Sequence, residues 1–159
     1  MLGISEQAAK FCVLCLDTDR EWLAILKREL KTMGFREVLT TPDPKKALGM
    51  MQIEKPDVVI TNHNLKFVQF LRSSDSSPNR EVPVVMVTNR VGPDDIFAIR
   101  DAGVNEIAVK PCSIAQLVQR VEAIVTHPRR FIWSDNFKGP DRRRKGAEFN
   151  GPERRVADE

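Results

Sequence analysis

Apolar positions along this chain follow two alternating patterns. Short unbroken runs, rich in β-branched residues, occur at Phe11–Leu16, Val58–Ile60, Val84–Val87 and Ile107–Val109. Runs of that length and composition predict strands buried on both faces of a parallel sheet. Between them lie segments with helical spacing. Trp22, Leu23, Leu26, Leu30 and Met33 form an apolar stripe, with Asp19 as N-cap and Gly34 as stop, and predict a helix from Arg20 to about Met33. Asp43-Pro44 opens a second helix ending near Gln52. A weak third helix is predicted around Phe67–Arg72, followed by a polar loop over Ser73–Asn79. A fourth runs from Pro93 to Ala102 and is closed by Gly103. Ser113 with Gln116 reads as a capping box for a fifth helix to about Thr126. With a short strand at Glu37–Thr40, the alternation predicts an α/β fold with a five-stranded, doubly wound parallel sheet.

Each apolar run ends in polar residues. The first runs into Asp17-Thr18-Asp19, the third strand into Thr61-Asn62, the fourth into Thr88-Asn89 and the fifth into Lys110-Pro111. In an open parallel sheet the carboxyl ends of the strands line the ligand crevice. The chain therefore gathers acids, an amide, a hydroxyl and an ammonium at one edge.

The order and spacing of these groups resemble the receiver domain of bacterial response regulators, the CheY-like fold, from about Phe11 to Thr126. The resemblance implies a flavodoxin-like strand order of 2-1-3-4-5. It also implies a phosphoacceptor pocket with an acidic pair after the first strand, a phosphoacceptor Asp after the third, Thr or Ser after the fourth and Lys-Pro after the fifth. Asp17, Thr88, Lys110 and Pro111 match. Asn62 falls on the phosphoacceptor position and Thr18 on the second acid of the pair, with Asp19 beside it. The loop His63-Asn64-Leu65-Lys66 lacks the family's proline, and Ile107 stands where the family has an aromatic switch residue. The Lys110-Pro111 bond is cis in the family.

These departures bear directly on the chemistry. An aspartyl phosphate needs a carboxylate nucleophile, and an amide oxygen is a poor one. Magnesium, the metal the family uses, prefers hard anionic oxygens. With two carboxylates replaced, no metal is expected beyond, at most, a weak magnesium site at Asp17, and the pocket is read as degenerate, without catalytic residues. Lys110 is expected to be buried and paired with Asp17. Asn62 is expected to bridge the two, accepting from Lys110 and donating to Asp17.

The remaining candidates are read as structural. Cys12 and Cys15 have Cys-x-x-Cys spacing but lie within one strand run, where residues three apart face opposite ways, so they read as buried hydrophobes. Three cysteines and no disulfide framework suit a reducing compartment. Trp22 reads as core packing, and His63 and His127 as isolated loop or surface residues. The first ten residues carry no signal pattern and no run reaches membrane-spanning length, so a cytoplasmic protein is expected.

Composition changes after His127. Residues 1–127 hold 16 Lys/Arg and 16 Asp/Glu, whereas 128–159 hold 9 and 6, so the net charge of +3 sits in the tail. The tail carries an internal repeat: Phe137-Lys138-Gly139-Pro140-Asp141-Arg142-Arg143 recurs twelve residues later as Phe149-Asn150-Gly151-Pro152-Glu153-Arg154-Arg155. Gly-Pro disfavours both helix and strand, so two extended recognition motifs are expected. Arginine offers a planar fork for phosphate or guanine edges and stacks on flat rings. Trp133, Phe137, Asp141, Arg142, Arg143, Arg144, Phe149, Glu153, Arg154 and Arg155 are the candidate binding residues. An extension folded back through its aromatics and a solvated tail are the alternatives. The tail also resembles the Arg-rich extensions of some stand-alone receiver-like bacterial proteins that bind cyclic diguanylate.

The chain therefore divides into a receiver-like domain, 1–127, and a repeat-containing tail, 128–159. The expected function is a phosphorylation-incompetent signalling module, not an enzyme and without a cofactor. It would dock, through its first-helix or fourth-helix face, on a histidine kinase, a phosphotransfer protein or another regulator. A cyclic diguanylate sensor is the alternative, and a true phosphoacceptor the third class. No helix-turn-helix pattern follows the receiver-like part, so DNA is not an expected partner; neither is a membrane.

Overall fold

The computed structural model describes residue 6 and residues 8–143. Five strands, β1 (Cys12–Leu16), β2 (Glu37–Thr41), β3 (Val58–Thr61), β4 (Val84–Thr88) and β5 (Glu106–Val109), form a parallel sheet in the order β2-β1-β3-β4-β5. Four helices connect them, α1 (Arg20–Met33), α2 (Pro44–Glu54), α3 (Leu65–Ser73) and α4 (Pro93–Asp101), and a fifth, α5 (Ile114–Thr126), follows β5. From β1 to α5 the element sequence is the one the apolar pattern predicts, and the strand order is the one the family resemblance implies.

The caps explain the helix boundaries. The Asp19 carboxylate accepts from the Glu21 and Trp22 N–H groups and opens α1. Gly34, at φ 107°, closes it, its N–H returning to the carbonyls of Leu30 and Lys31. Ser113 and Gln116 form the reciprocal capping box of α5. Helix α3 begins two residues earlier than expected because the Asn64 side chain caps it, accepting from the Phe67 N–H at 3.0 Å.

The core lies on both faces of the sheet, as the period of two along each strand requires. Val13, Cys15, Val58, Ile60, Val85, Val87 and Ala108 pack with α1 and α5 through Leu23, Leu26, Leu30, Leu117 and Val121. Leu14, Leu16, Val59, Val84 and Met86 pack on the other face with Ala47, Met51, Val68, Leu71 and Ile99. Both cysteines of β1 are buried and free, and burial raises the thiol of Cys12 to about 11 and that of Cys15 to about 12.

After α5 the chain departs from expectation. Phe131–Trp133 (β6) and Lys138–Pro140 (β7) pair as a two-stranded antiparallel ribbon, so Gly139-Pro140 lies in a strand. Pro140 is tolerated because it ends a strand at a ribbon edge, where its missing N–H breaks no ladder bond. The next residue restores the pairing, Asp141 N–H donating to the Arg130 carbonyl at 2.7 Å. The first copy of the repeat is thus folded onto the domain and is not a free extended motif. The second copy, Phe149–Arg155, and Arg144 lie outside the described residues.

A buried arginine anchors this ribbon. Arg72, at the end of α3, is 1% exposed. Its Nε donates to the Gly103 carbonyl, Nη1 to the carbonyls of Arg80 and Val82, and Nη2 to Asn105 Oδ1, at 2.7–3.0 Å. The guanidinium lies 5.1 Å from the centre of the Phe131 ring. Burial lowers Arg72 to about 10, which leaves it charged at neutral pH. Gly103 has φ 97°, and a β-carbon on it would come within 2.6 Å of the Lys138 carbonyl oxygen. Only glycine lets β7 approach this closely.

Candidate functional site

The polar residues at the strand ends meet as the topology requires. Asp17 follows β1, Asn62 follows β3, Thr88 ends β4, and Lys110-Pro111, joined by a cis bond, follow β5. Asp17 is 4% exposed. Its Oδ1 accepts from the Asp19 N–H at 2.9 Å, and its Oδ2 faces Lys110 Nζ at 3.4 Å. Both carboxylate oxygens are therefore engaged within the protein.

Two expectations about this network are corrected. The Lys110 side chain is 35% exposed, not buried; its ammonium reaches the rim of the crevice and sits 5.3 Å from the centre of the Trp22 ring. A long aliphatic stem lets lysine cover apolar surface while its charge stays at the water boundary. Trp22 accordingly packs against the core and carries a cation above its ring. Asn62, in turn, does not bridge Lys110 and Asp17. Its Oδ1 faces the Thr61 hydroxyl at 3.4 Å, and its carbonyl accepts from the Asn64 N–H at 2.7 Å, in a tight turn that leads into α3.

That turn brings in His63, expected from the sequence to be an isolated loop or surface residue. His63 Nδ1 lies 2.9 Å from the Thr88 hydroxyl, which also accepts from the Arg90 N–H at 3.0 Å. Thr88 can donate to Nδ1 while accepting from Arg90. The signal for His63 was available: it follows Asn62 at the carboxyl end of β3, next to β4 in the sheet order. Of the residues at this edge, Thr18 is exposed beside Asp17, and Asp19 is committed to capping α1.

Metal-binding capacity can be judged from the donors. Among the described residues no three His, Cys, Asp or Glu side chains converge on a point that could hold an ion. At this edge the one buried carboxylate, Asp17, already has a cation and an N–H as partners. A dication seeking several anionic oxygens does not fit this donor set as it stands.

The tail candidates among the described residues, Trp133, Phe137, Asp141, Arg142 and Arg143, lie at the opposite end of the sheet. The ribbon packs beside Gly103, which precedes β5, and Glu81, which precedes β4. Trp133 donates through Nε1 to Glu81, and Phe137 lies under the Arg142 guanidinium at 4.0 Å. Arg142 is also bound to Asp101 at 2.9 Å. Asp141 accepts from the Arg143 N–H, and the Arg143 side chain is 89% exposed. Among the described residues, the strand-end pocket and the tail candidates are therefore two separate places.

A family model described as the response regulator receiver domain matches residues 13–122. The transcriptional regulatory protein PrrA of Mycobacterium tuberculosis is 35% identical over 119 residues, covering 71% of this chain and 49% of that protein. The chain thus spans about half the length of this relative. The chemotaxis protein CheY of Pseudomonas aeruginosa is 28% identical over 116 residues, 70% of this chain and 94% of that one. Among solved structures, the chemotaxis protein CheY4 of Vibrio cholerae superposes with a TM-score of 0.65 at 23% identity, covering 72% of this chain and 98% of that one. Among the described residues no helix is long and apolar enough to cross a membrane.

Proposed function

Because this chain belongs to the response regulator receiver family, we propose that it serves two-component signalling as a cytoplasmic docking module that takes no phosphoryl group. One observation carries this reading: Asn62 stands at the end of β3, where the family places its phosphoacceptor Asp. An amide cannot form an acyl phosphate. Two further features support it. Thr18 replaces the second acid, and both oxygens of Asp17 are already satisfied, so little remains to hold magnesium. Without phosphotransfer the module is not an enzyme and works by contact.

Its partners are then a histidine kinase, a phosphotransfer protein or another regulator. The fourth-helix face suits such a partner. Phe97 on α4 is 65% exposed, with Val91 before the helix and Val109 at the end of β5 also exposed. Acetyl phosphate with magnesium should leave the mass of the protein unchanged. A hydrolysable adduct of one phosphoryl group on Asp17 or Asp19 would overturn the reading. Asn62→Asp alone should restore labelling poorly, and Asn62→Asp with Thr18→Asp better; efficient labelling of the single variant would mean that Thr18 matters little.

A second reading, a cyclic diguanylate effector, is favoured by the exposed guanidinium of Arg143 beside a ribbon that already stacks Arg142 on Phe137. Calorimetry with cyclic diguanylate tests it: Arg143→Ala and Arg155→Ala should each weaken binding, while Asn62 variants leave it intact.

A further inference from the structure

A groove of about 910 Å³ opens between α4, β5, α5 and the ribbon. Arg100, Arg120, Arg129 and Arg142 line it, with His127 and a single acid, Glu106. Glu106 pairs with two of the arginines, Arg120 on Oε2 at 3.4 Å and Arg129 on Oε1 at 3.2 Å. Arg142 is turned to Asp101. Arg100 makes no ion pair among the described residues. Four guanidiniums thus share two carboxylates, and each guanidinium has five N–H donors. The groove carries a surplus of positive charge and of unused donors, arranged around Glu106 and not loosely spread over a surface. Its floor is apolar, with Val104, Ile107, Ile124 and Pro140.

We propose that this groove is a binding site for a nucleotide bearing two phosphate groups. Arginine forks match phosphate oxygens in bidentate fashion, and two or more of them favour a ligand with at least two negative charges. The apolar floor and the free face of Arg100 suit a flat base, which stacks on guanidinium planes and on aliphatic surface alike. The site is composite. Arg100 and Arg120 come from α4 and α5, whereas Arg129, Pro140 and Arg142 follow α5, so the ligand ties the ribbon to the domain. This deepens the dinucleotide reading above and shares with it the ligand class; the two differ in where the ligand sits.

The test is calorimetry on the full chain with three probes: cyclic diguanylate, guanosine diphosphate and inorganic pyrophosphate. At least one of the two nucleotides should bind. The double variant Arg100→Ala/Arg120→Ala should weaken it about tenfold or more, as loss of charge-assisted bonds requires. Arg100→Lys should retain part of the affinity, and Arg28→Ala, exposed on α1 and outside the groove lining, should leave it unchanged. Pyrophosphate binding as tightly as both nucleotides would show a simple anion site and overturn the nucleotide assignment. Wild-type affinity in the double variant, with binding lost in Arg143→Ala, would overturn the groove while sparing the tail reading. Binding of guanosine diphosphate but not cyclic diguanylate, sensitive to the double variant, would support the groove and end the cyclic dinucleotide reading. No heat with either nucleotide up to about 1 mM would overturn both.

Discussion

His63 and Thr88, 25 residues apart in sequence, meet at the carboxyl edge of the sheet with Nδ1 and Oγ1 2.9 Å apart. The contact joins the turn after β3 to the end of β4. Thr88 is 2% exposed and His63 half-buried, so the bond is partly shielded from water. The bond links the two residues energetically. His63→Ala and Thr88→Val should each destabilise by about 1 kcal/mol, and the double variant should cost about 0.5–1 kcal/mol less than the sum. Strict additivity in urea melts would show that the contact contributes nothing.

Lys110 faces a nearly buried Asp17 but is itself about one-third exposed, so solvent weakens the pair. Lys110→Met should therefore cost only about 1 kcal/mol. Asp17 keeps its bond from the Asp19 N–H in the variant. A loss of several kcal/mol in the denaturant midpoint would mean that Lys110 is far more deeply engaged than its exposure indicates.

Arg72 carries the larger effect. Arg72→Met preserves volume but leaves the carbonyls of Gly103, Arg80 and Val82 without their donor and removes the cation beside Phe131. The expected cost is about 2–4 kcal/mol. The ribbon should loosen with it, seen as a change in Trp133 fluorescence and faster amide exchange in β6 and β7. Arg72→Lys should rescue little, since one ammonium cannot reach four acceptors in a plane.

Gly103→Ala tests the same junction from the backbone. The residue would need φ near 97° and would press on the Lys138 carbonyl and on Arg72. A destabilisation of about 1–3 kcal/mol is expected, with the ribbon amides exchanging first. Normal protection of β7 in the variant would show that the ribbon does not rest on Gly103.

The cysteines give a pH dependence. Burial raises the Cys12 and Cys15 thiols to about 11 and about 12, while in the unfolded chain they ionise near 9. Above pH 9 the unfolded state therefore binds fewer protons than the folded one, and stability falls as pH rises from about 9 towards 11 and 12. It is unaffected by these thiols below that range. Cys15→Ala should reduce the alkaline slope in melts taken between pH 8 and 11. At neutral pH, iodoacetamide should modify the half-buried Cys112 before Cys12 or Cys15; early labelling of Cys15 would contradict its burial.

The sequence by itself determined the sheet, the helices and the place of the strand-end pocket. Those features are local: β-branched runs between Asp43-Pro44, Gly34 and Ser113-Gln116 carry their own periodicity and caps, and a parallel sheet brings its carboxyl ends to one edge whatever the side chains are. Only the tertiary structure decided which groups meet there. Asn62 had the chemistry to bridge Asp17 and Lys110, but the turn to Asn64 directs it to Thr61 and brings His63 to Thr88. The ribbon was illegible for a related reason. Arg72 binds mainly backbone carbonyls, which every residue possesses, so no pattern of side chains announces its partners. Gly103 and Gly139 matter only because two chain segments far apart in sequence pass within van der Waals contact. Propensity and periodicity report what neighbours along the chain require; close packing between distant segments is settled by the fold alone.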